Sequence, residues 1–209
     1  TAEIRRANTQ RSAGDADAGI ATLTALAKDH GDLVEVDSAL GDALRMQEKF
    51  PEAVAAYSEA IAQIGTPKPA HWILFYTRGI SNERAGDWPA AEADFRAALK
   101  LEPDQPLVLN YLGYSMVEKQ ENLAEARGMI ERAVREGPED GYITDSLGWV
   151  YYRLGRYQDA VEPMMRAVQL TPEDPVINDH LGDVLWKVGR AREAEFQWKR
   201  ALSFEPDTE

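Results

Sequence analysis

A glycine, usually preceded by leucine, recurs along most of this chain at a nearly constant interval. The recurring residues are Gly41, Gly79, Gly113, Gly148 and Gly182. They are separated by 38, 34, 35 and 34 residues, close to the length of one helix-turn-helix repeat unit. A chain with such a period is expected to fold as a linear stack of similar units, because each unit packs mainly on its neighbours.

Other residues recur at fixed offsets from each glycine, which we number as position 8 of its unit. Position 20 is alanine at Ala53, Ala91, Ala160 and Ala194. Position 24 is large, at Tyr57, Phe95, Met164 and Trp198. A glycine inside a helix costs about 1 kcal/mol relative to alanine, so its repeated use indicates close helix packing. The unit that contains Gly113 shows the same spacing shifted by one residue, which predicts an insertion near Gln120 to Leu123.

These landmarks resemble those of the tetratricopeptide repeat (TPR) family. The resemblance covers residues 34–208 in five units, 34–71, 72–105, 106–140, 141–174 and 175–208. Residues 1–33 align as a degenerate N-terminal TPR unit or a pair of capping helices, with Ala7 at position 8 and Leu23 at position 24. The resemblance implies an all-α fold, a right-handed α-solenoid (superhelix) of stacked TPR helix-turn-helix repeats.

Charge and composition exclude several classes of function. The 36 acidic and 23 basic residues give a net charge of -13, the wrong sign for neutralising phosphates, so we expect no nucleic-acid partner. No apolar run approaches the roughly 20 residues that cross a bilayer, so no membrane span is expected in this chain. Cysteine is absent, and neither a phosphate-binding glycine loop nor a nucleophile elbow is present.

The remaining candidate for enzyme chemistry is His180, which stands beside Asp179 and close to Asp183. Such a group could form a metal or acid–base site, but charged neighbours on a helix are usually a solvated face. We therefore expect no enzyme, no cofactor, no catalytic residue and no metal ligand. An enzyme remains the alternative if this chain is the recognition domain of a larger protein whose catalytic part lies elsewhere.

The first helix of each unit, helix A, is expected to line the concave groove of the stack. Helical periodicity places positions 2, 5, 9 and 12 of helix A on one stripe. Several aromatic residues lie on this stripe although the repeat does not need them for packing, and Tyr and Trp are enriched at binding hot spots. The predicted partner-binding residues are Tyr76, Asn110, Tyr114, Tyr142, Asp145, Trp149, Tyr152, Arg153, Asp179, Asp183 and Trp186. The alternative is that the rings pack against neighbouring A helices and the charges form a solvated rim.

The last three units also resemble the carboxy-terminal arrays of TPR lipoproteins from Gram-negative bacterial envelopes. The similar runs are residues 109–114, 145–156 and 180–186. This resemblance implies a protein–protein interaction scaffold or adaptor that binds a peptide or partner segment, with a carboxyl-terminal processing protease as one candidate partner. It favours a periplasmic or outer-membrane-tethered location over a cytoplasmic one. The start at Thr1 suggests a processed chain or a fragment. A homo-oligomer is a further expectation, because the last repeat ends at Pro206 without an additional covering helix.

Overall fold

The computed structural model describes residues 2–30 and 33–204, which form twelve α-helices and one short 3-10 helix. No strand occurs among these residues. The helices belong to two compact units, Thr1–Pro103 (unit 1) and Asp104–Glu209 (unit 2). Pro206, which the sequence predicts to end the last repeat, lies outside the described residues.

Unit 1 consists of three consecutive helical hairpins. They are formed by α1 (Ala2–Ser12) with α2 (Ala16–Asp29), α3 (Val34–Met46) with α4 (Phe50–Gln63), and α5 (Trp72–Arg84) with α6 (Trp88–Leu101). Each hairpin packs on the next one in the unit. The turn before α5 contains the additional 3-10 helix Pro69–His71, which accounts for the wider spacing between Gly41 and Gly79.

Unit 2 repeats the same arrangement with three further hairpins. They are formed by α7 (Pro106–Lys119) with α8 (Leu123–Glu136), α9 (Gly141–Arg153) with α10 (Tyr157–Leu170), and α11 (Pro175–Lys187) with α12 (Ala191–Phe204). The first helices also touch one another, α7 with α9 and α9 with α11.

Short polar residues and prolines determine where several helices begin. The Asp174 side chain accepts a hydrogen bond from the Ile177 backbone N–H at 2.9 Å, which confirms it as the N-cap of α11. The Asp140 side chain caps α9 by accepting hydrogen bonds from the backbone N–H groups of Tyr142 and Ile143. Pro106 and Pro175 occupy the first helical position, where the missing N–H would have no helical partner.

The glycine at position 8 is where the two helices of a hairpin come closest. A Cβ atom added to Gly41 would lie 2.7 Å from the Tyr57 ring, and one added to Gly79 would lie 2.7 Å from the Phe95 ring. The same pairing joins Gly113 to Ile130, Gly148 to Met164 and Gly182 to Trp198. Tyr57, Phe95 and Met164 are completely buried, and each such burial stabilises the fold by about 1.5–3 kcal/mol. This gain exceeds the helix-propensity cost of the glycine.

The two helices of the first hairpin also approach each other closely, but here the glycine lies on the second helix and an alanine takes its place on the first. Ala7 occupies position 8, and the glycine is on the second helix, where a Cβ on Gly19 would lie 2.9 Å from the Ala7 carbonyl oxygen. Ala7 and Leu23 are both completely buried. This pair of helices therefore packs by the same principle as the other hairpins.

The turn between α7 and α8 contains the predicted insertion. Other hairpins make this turn with a residue of positive φ, for example Gly86 at 88° and Gly155 at 72°. The turn after α7 has two such residues, Gln120 at 57° and Asn122 at 47°, and neither is glycine. Helix α7 is also one residue longer than α9 and α11. The extra residue is thus accommodated by a second left-handed residue before α8.

The substitution Gly79→Ala is expected to lower the free energy of unfolding by about 1–3 kcal/mol, because the methyl group would overlap the buried Phe95 ring. Gly128→Ala is the matched control, since Gly128 lies inside α8 with nothing within 4 Å of an added Cβ. The control should stabilise the protein by up to about 1 kcal/mol. Chemical denaturation followed by circular dichroism measures both values, and shifts of the same sign would contradict this account of the glycines.

Candidate functional site

The A helices of unit 2 form a surface that contains most of the predicted binding residues. We call it the A face and define it by positions 2, 5, 9 and 12 of α7, α9 and α11. Its residues are Leu107, Asn110, Tyr114, Tyr142, Asp145, Trp149, Tyr152, Val176, Asp179, Asp183 and Trp186. Val117, at position 12 of α7, is completely buried and belongs to the core instead.

The centre of the A face is a buried ion pair covered by an aromatic ring. His180 Nδ1 of α11 lies 3.0 Å from Asp145 Oδ2 of α9, and both side chains are about nine-tenths buried. The Trp149 ring stacks on His180 with a centroid separation of 4.0 Å and an interplanar angle of 14°. The Trp149 ring also stacks on the Tyr152 ring, with a centroid separation of 4.8 Å. These contacts join α9 to α11 and hold Trp149 in one orientation.

The pKa values of His180 and Asp145 are both raised in the folded protein. Burial alone would lower the pKa of His180, but the hydrogen bond and charge of Asp145, together with the charges of Asp179 and Asp183, raise it above its ordinary value. Burial also raises the pKa of Asp145, despite the opposing hydrogen bond and charge of His180. The ion pair therefore stabilises the fold in the pH range where His180 is protonated and Asp145 is ionised, and it is lost as pH rises through the folded-state pKa of His180.

Glu118 of α7 connects the same cluster to the neighbouring A helix. Its carboxylate accepts a hydrogen bond from Trp149 Nε1 at 2.7 Å and another from Arg153 at 2.9 Å. Tyr114 lies nearby and is half-buried, and burial with the negative charges of Glu118 and Asp145 raises its pKa to about 12. Trp149 and Arg153 are therefore partly occupied by contacts within the array.

Two aromatic residues of the A face are exposed. Tyr142 is 59% exposed and Trp186 is 56% exposed. The charge of Asp174 is the main reason that the pKa of Tyr142 is raised. The Trp186 ring lies 5.8 Å from the Trp198 ring, centroid to centroid. Both rings present large apolar areas to solvent.

The exposed apolar surface of unit 2 continues at position 2 of its three A helices. In unit 2 the residues at this position are Leu107, Tyr142 and Val176, with 46%, 59% and 55% of their surface exposed. Ile73 has the same position in α5 of unit 1 and is 42% exposed. Position 2 does not belong to the buried core, which α7 supplies from other positions, for example with Leu109, Leu112 and Met116.

The carboxylates of α11 differ from that of Asp145 in having no cationic partner. Among the described residues, neither Asp179 nor Asp183 has a Lys, Arg or His nitrogen within 4.0 Å. The pKa of Asp183 is raised by partial burial and by the charge of Asp179, while the charges of His180 and Lys187 oppose this shift. Asp179 is exposed and Asp183 is half-buried.

The structure brings most, but not all, of the predicted residues together. Tyr76 belongs to α5 of unit 1, where its ring contacts Trp72 at 5.7 Å and Phe95 at 6.1 Å. Asn110 lies on the A face with a buried side-chain oxygen that has no hydrogen-bond partner among the described residues. Arg153 lies beside the face through its contact with Glu118.

Other features of the described residues offer no comparable site. An open cleft of about 630 Å³ runs along α10, and its lining, which includes Met165 and Arg166, mixes apolar and charged side chains. No group of three or more His, Asp or Glu side chains in residues 2–30 and 33–204 is placed to hold a metal ion. None of the helices in that part of the chain is long and apolar enough to cross a membrane.

Comparison with known proteins identifies the repeat. The model of the tetratricopeptide repeat matches residues 4–68, 76–119 and 117–175. This chain belongs to the tetratricopeptide repeat family. The TPR repeat-containing protein PA4667 of Pseudomonas aeruginosa is 34% identical over 119 residues, which are 57% of this chain. The matched part is 20% of PA4667, so this chain spans about a fifth of the length of that relative.

Solved TPR structures share the fold at low sequence identity. A TPR protein from Parabacteroides merdae superimposes with a TM-score of 0.80 at 16% identity, covering 98% of this chain and 79% of that one. YrrB, described as a TPR protein with an unusual peptide-binding site, gives a TM-score of 0.63 at 17% identity over 81% of this chain and 85% of its own. Together with the helices described above, these matches confirm the predicted all-α solenoid class.

Sequence reasoning did not assign His180 its partner. It grouped His180 with its sequence neighbours Asp179 and Asp183, whereas the ring pairs with Asp145, 35 residues earlier. The repeat register contains the missing signal, because Asp145 is at position 5 of one A helix and His180 at position 6 of the next. A search for complementary charges one repeat apart would have found this pair.

The stability of the TPR array should depend on pH through His180. Because its pKa is raised above about 6.5, its contribution is complete below that pH and is lost as pH rises through the folded-state pKa. We expect the unfolding free energy of the wild type to fall more steeply between about pH 6 and pH 9 than that of His180→Gln. His30→Gln is the control, since His30 is exposed at the end of α2. Urea unfolding at several pH values measures these slopes, and parallel profiles for wild type and His180→Gln would disprove the role of the pair.

Proposed function

We propose that the A face of unit 2 binds an extended peptide segment of a partner protein, so that the chain acts as a protein–protein interaction scaffold. The observation that carries this proposal is the set of exposed apolar residues on three adjacent A helices, Leu107, Tyr142, Val176 and Trp186. The core of each hairpin is complete without them. Exposed apolar surface that is bordered by polar side chains is typical of interaction sites.

The chemistry of these residues supports a peptide as the ligand. Tyrosine and tryptophan supply large contact areas with few rotatable bonds, so ordering them on binding costs little entropy. The Trp186 ring already lies against the Trp198 ring on one side. The likeness to YrrB, whose description names a peptide-binding site, favours the same class of ligand.

Replacing the two exposed rings should abolish most of the binding. Peptides are first selected from a random peptide library on the immobilised protein. For such peptides, Tyr142→Ala combined with Trp186→Ala is expected to weaken affinity by about thirtyfold or more, because loss of one hot-spot ring typically costs about 2 kcal/mol. Isothermal titration calorimetry provides the affinities.

Met165→Ala is the matched control for this experiment. Met165 is also an exposed apolar side chain, 41% exposed, but it lies on α10 and not on an A helix. Its replacement should leave affinity unchanged. If the control variant loses as much affinity as the double variant, or if the double variant binds like wild type, the A face is not the site.

Trp149 should behave differently from Trp186, because it is held by His180, Tyr152 and Glu118. Trp149→Ala is expected to lower the unfolding free energy by about 2–4 kcal/mol. It removes a stacked ring that also shields the buried ion pair of His180 and Asp145 from water. Trp186→Ala should change it by less than about 1 kcal/mol. Urea titration of both variants tests the contrast, and equal losses of stability would refute this division of roles.

A narrower role follows from the resemblance of residues 109–186 to envelope TPR lipoproteins. We propose that the chain serves as an adaptor for a carboxyl-terminal processing protease in a bacterial envelope, in the periplasm or tethered to the outer membrane. The resemblance of residues 109–186 is what supports this role, whereas the similarity to PA4667 over 119 residues supports the repeat alone. Copurification of the full-length protein with a protease of this class from envelope extracts would support the role. Fractionation with the cytoplasm, without a protease, would remove it.

The alternative is that the chain recognises substrates for a catalytic domain of the same polypeptide. The short span relative to PA4667 keeps this alternative in view, because the chain matches only 20% of that protein. The sequence of the full-length polypeptide distinguishes the cases directly. A neighbouring domain with catalytic chemistry would favour the alternative, and further repeats would favour the scaffold.

Sedimentation over a wide concentration range tests the expected homo-oligomer.

A further inference from the structure

We infer that the exposed stripe of α11 selects a peptide with a positively charged side chain between two apolar ones. This inference rests on the proposed function and names the chemistry of its ligand. The stripe consists of Val176, Asp179, Asp183 and Trp186, at successive A-face positions of one helix. It therefore presents two carboxylates between an apolar residue and an aromatic ring.

The charge of this stripe is unbalanced, in contrast to the rest of the A face. Asp145 is neutralised by His180, and Glu118 is neutralised by Arg153. Asp179 and Asp183 have no such partner among the described residues. A cationic side chain placed against them would gain attraction from both carboxylates, while an acidic ligand would be repelled.

The nearest lysine does not take this position. Lys187 adjoins Trp186 in sequence, but its amino group lies 5.7 Å from the centre of the Tyr157 ring and makes a cation–π contact there. Its charge slightly favours the ionised form of Asp183 without pairing with it. No Lys, Arg or His side chain among the described residues therefore forms a salt bridge with either carboxylate.

Trp186 adds a second reason for a cation. Its ring is 56% exposed and stands one helical turn beyond Asp183. An arginine side chain paired with Asp183 can lie within about 6 Å of a tryptophan ring at this distance along a helix, where a cation–π contact adds to the ion pair. Arginine should therefore bind better than lysine.

The length of the stripe sets the spacing of the peptide. Val176 and Trp186 stand at opposite ends of the stripe within α11, and their separation along the helix axis is about 15 Å. In an extended peptide, residues i, i+2 and i+4 share one face and the outer two lie about 13 Å apart. A segment with the pattern apolar, any, cation, any, apolar therefore matches the stripe, with the cation opposite the carboxylates.

Three synthetic peptides that differ only in the central residue test this match. They contain Leu-Ser-Arg-Ser-Leu, Leu-Ser-Gln-Ser-Leu or Leu-Ser-Glu-Ser-Leu between glycines, with both ends blocked. Nuclear magnetic resonance titration of the ¹⁵N-labelled protein measures each affinity and reports the Trp186 indole N–H directly. We expect the arginine peptide to bind at least about tenfold more tightly than the glutamine peptide, to shift the Trp186 signal, and to weaken with added salt. The glutamate peptide should bind least.

Asp179→Asn combined with Asp183→Asn should remove the preference for arginine. The amide side chains keep the size of the carboxylates they replace, so the fold should be retained. The matched control is Glu162→Gln with Glu173→Gln, which makes the same change in net charge at positions outside the A face. The control should keep the preference for arginine. Equal affinities of the three peptides for wild type would overturn the inference.

The outcomes also separate this inference from the proposed function. If library-selected peptides bind the A face but carry no cation, and the arginine peptide has no advantage, the scaffold function stands and the charge preference is wrong. If neither selected nor synthetic peptides shift any A-face signal, both proposals fail. If the arginine peptide binds but the control variant loses the preference too, general charge attraction explains it and the site is wrong.

Discussion

The close approach of two helices at a glycine is the contact on which each hairpin of this protein depends. A side chain at position 8 would occupy the space that the Tyr57, Phe95 or Met164 side chain fills, since even a Cβ atom would lie under 3.0 Å from it. The large residue at position 24 can be fully buried only because the residue opposite has no side chain. The helix-propensity cost of the glycine is thus smaller than the gain from burial.

Because other positions form the core, the A face remains available for binding. The buried core of a hairpin is built from other positions, so position 2 of helix A adds little to folding. In unit 2 that position is apolar and exposed on three adjacent helices. The middle of the face is different, because Trp149 and Asp145 have been taken into contacts between α9 and α11. Binding surface is therefore concentrated at the exposed rings and on α11.

Electrostatics divides the same face into a structural part and a part open to ligands. Where a carboxylate lies between two A helices, the neighbouring helix supplies a partner, as His180 does for Asp145 and Arg153 does for Glu118. The carboxylates of α11 have no partner of this kind among the described residues. A paired, buried charge fixes the geometry of the array. An unpaired charge at the surface attracts ligands of opposite charge and repels those of like charge.

The sequence by itself determined the repeat, the helical class and the position of the insertion before α8. These follow from local patterns, because glycine, alanine and large residues at fixed spacing dictate how two adjacent helices pack. It also identified most A-face residues, since helical periodicity assigns side chains to a face. Only the tertiary structure decided which of those residues remain free. Whether Trp149 or Trp186 is exposed, and whether His180 pairs with Asp179 or Asp145, depends on which side chains the next helix brings within reach. That distance is set by packing between repeats, which the pattern within one repeat does not contain.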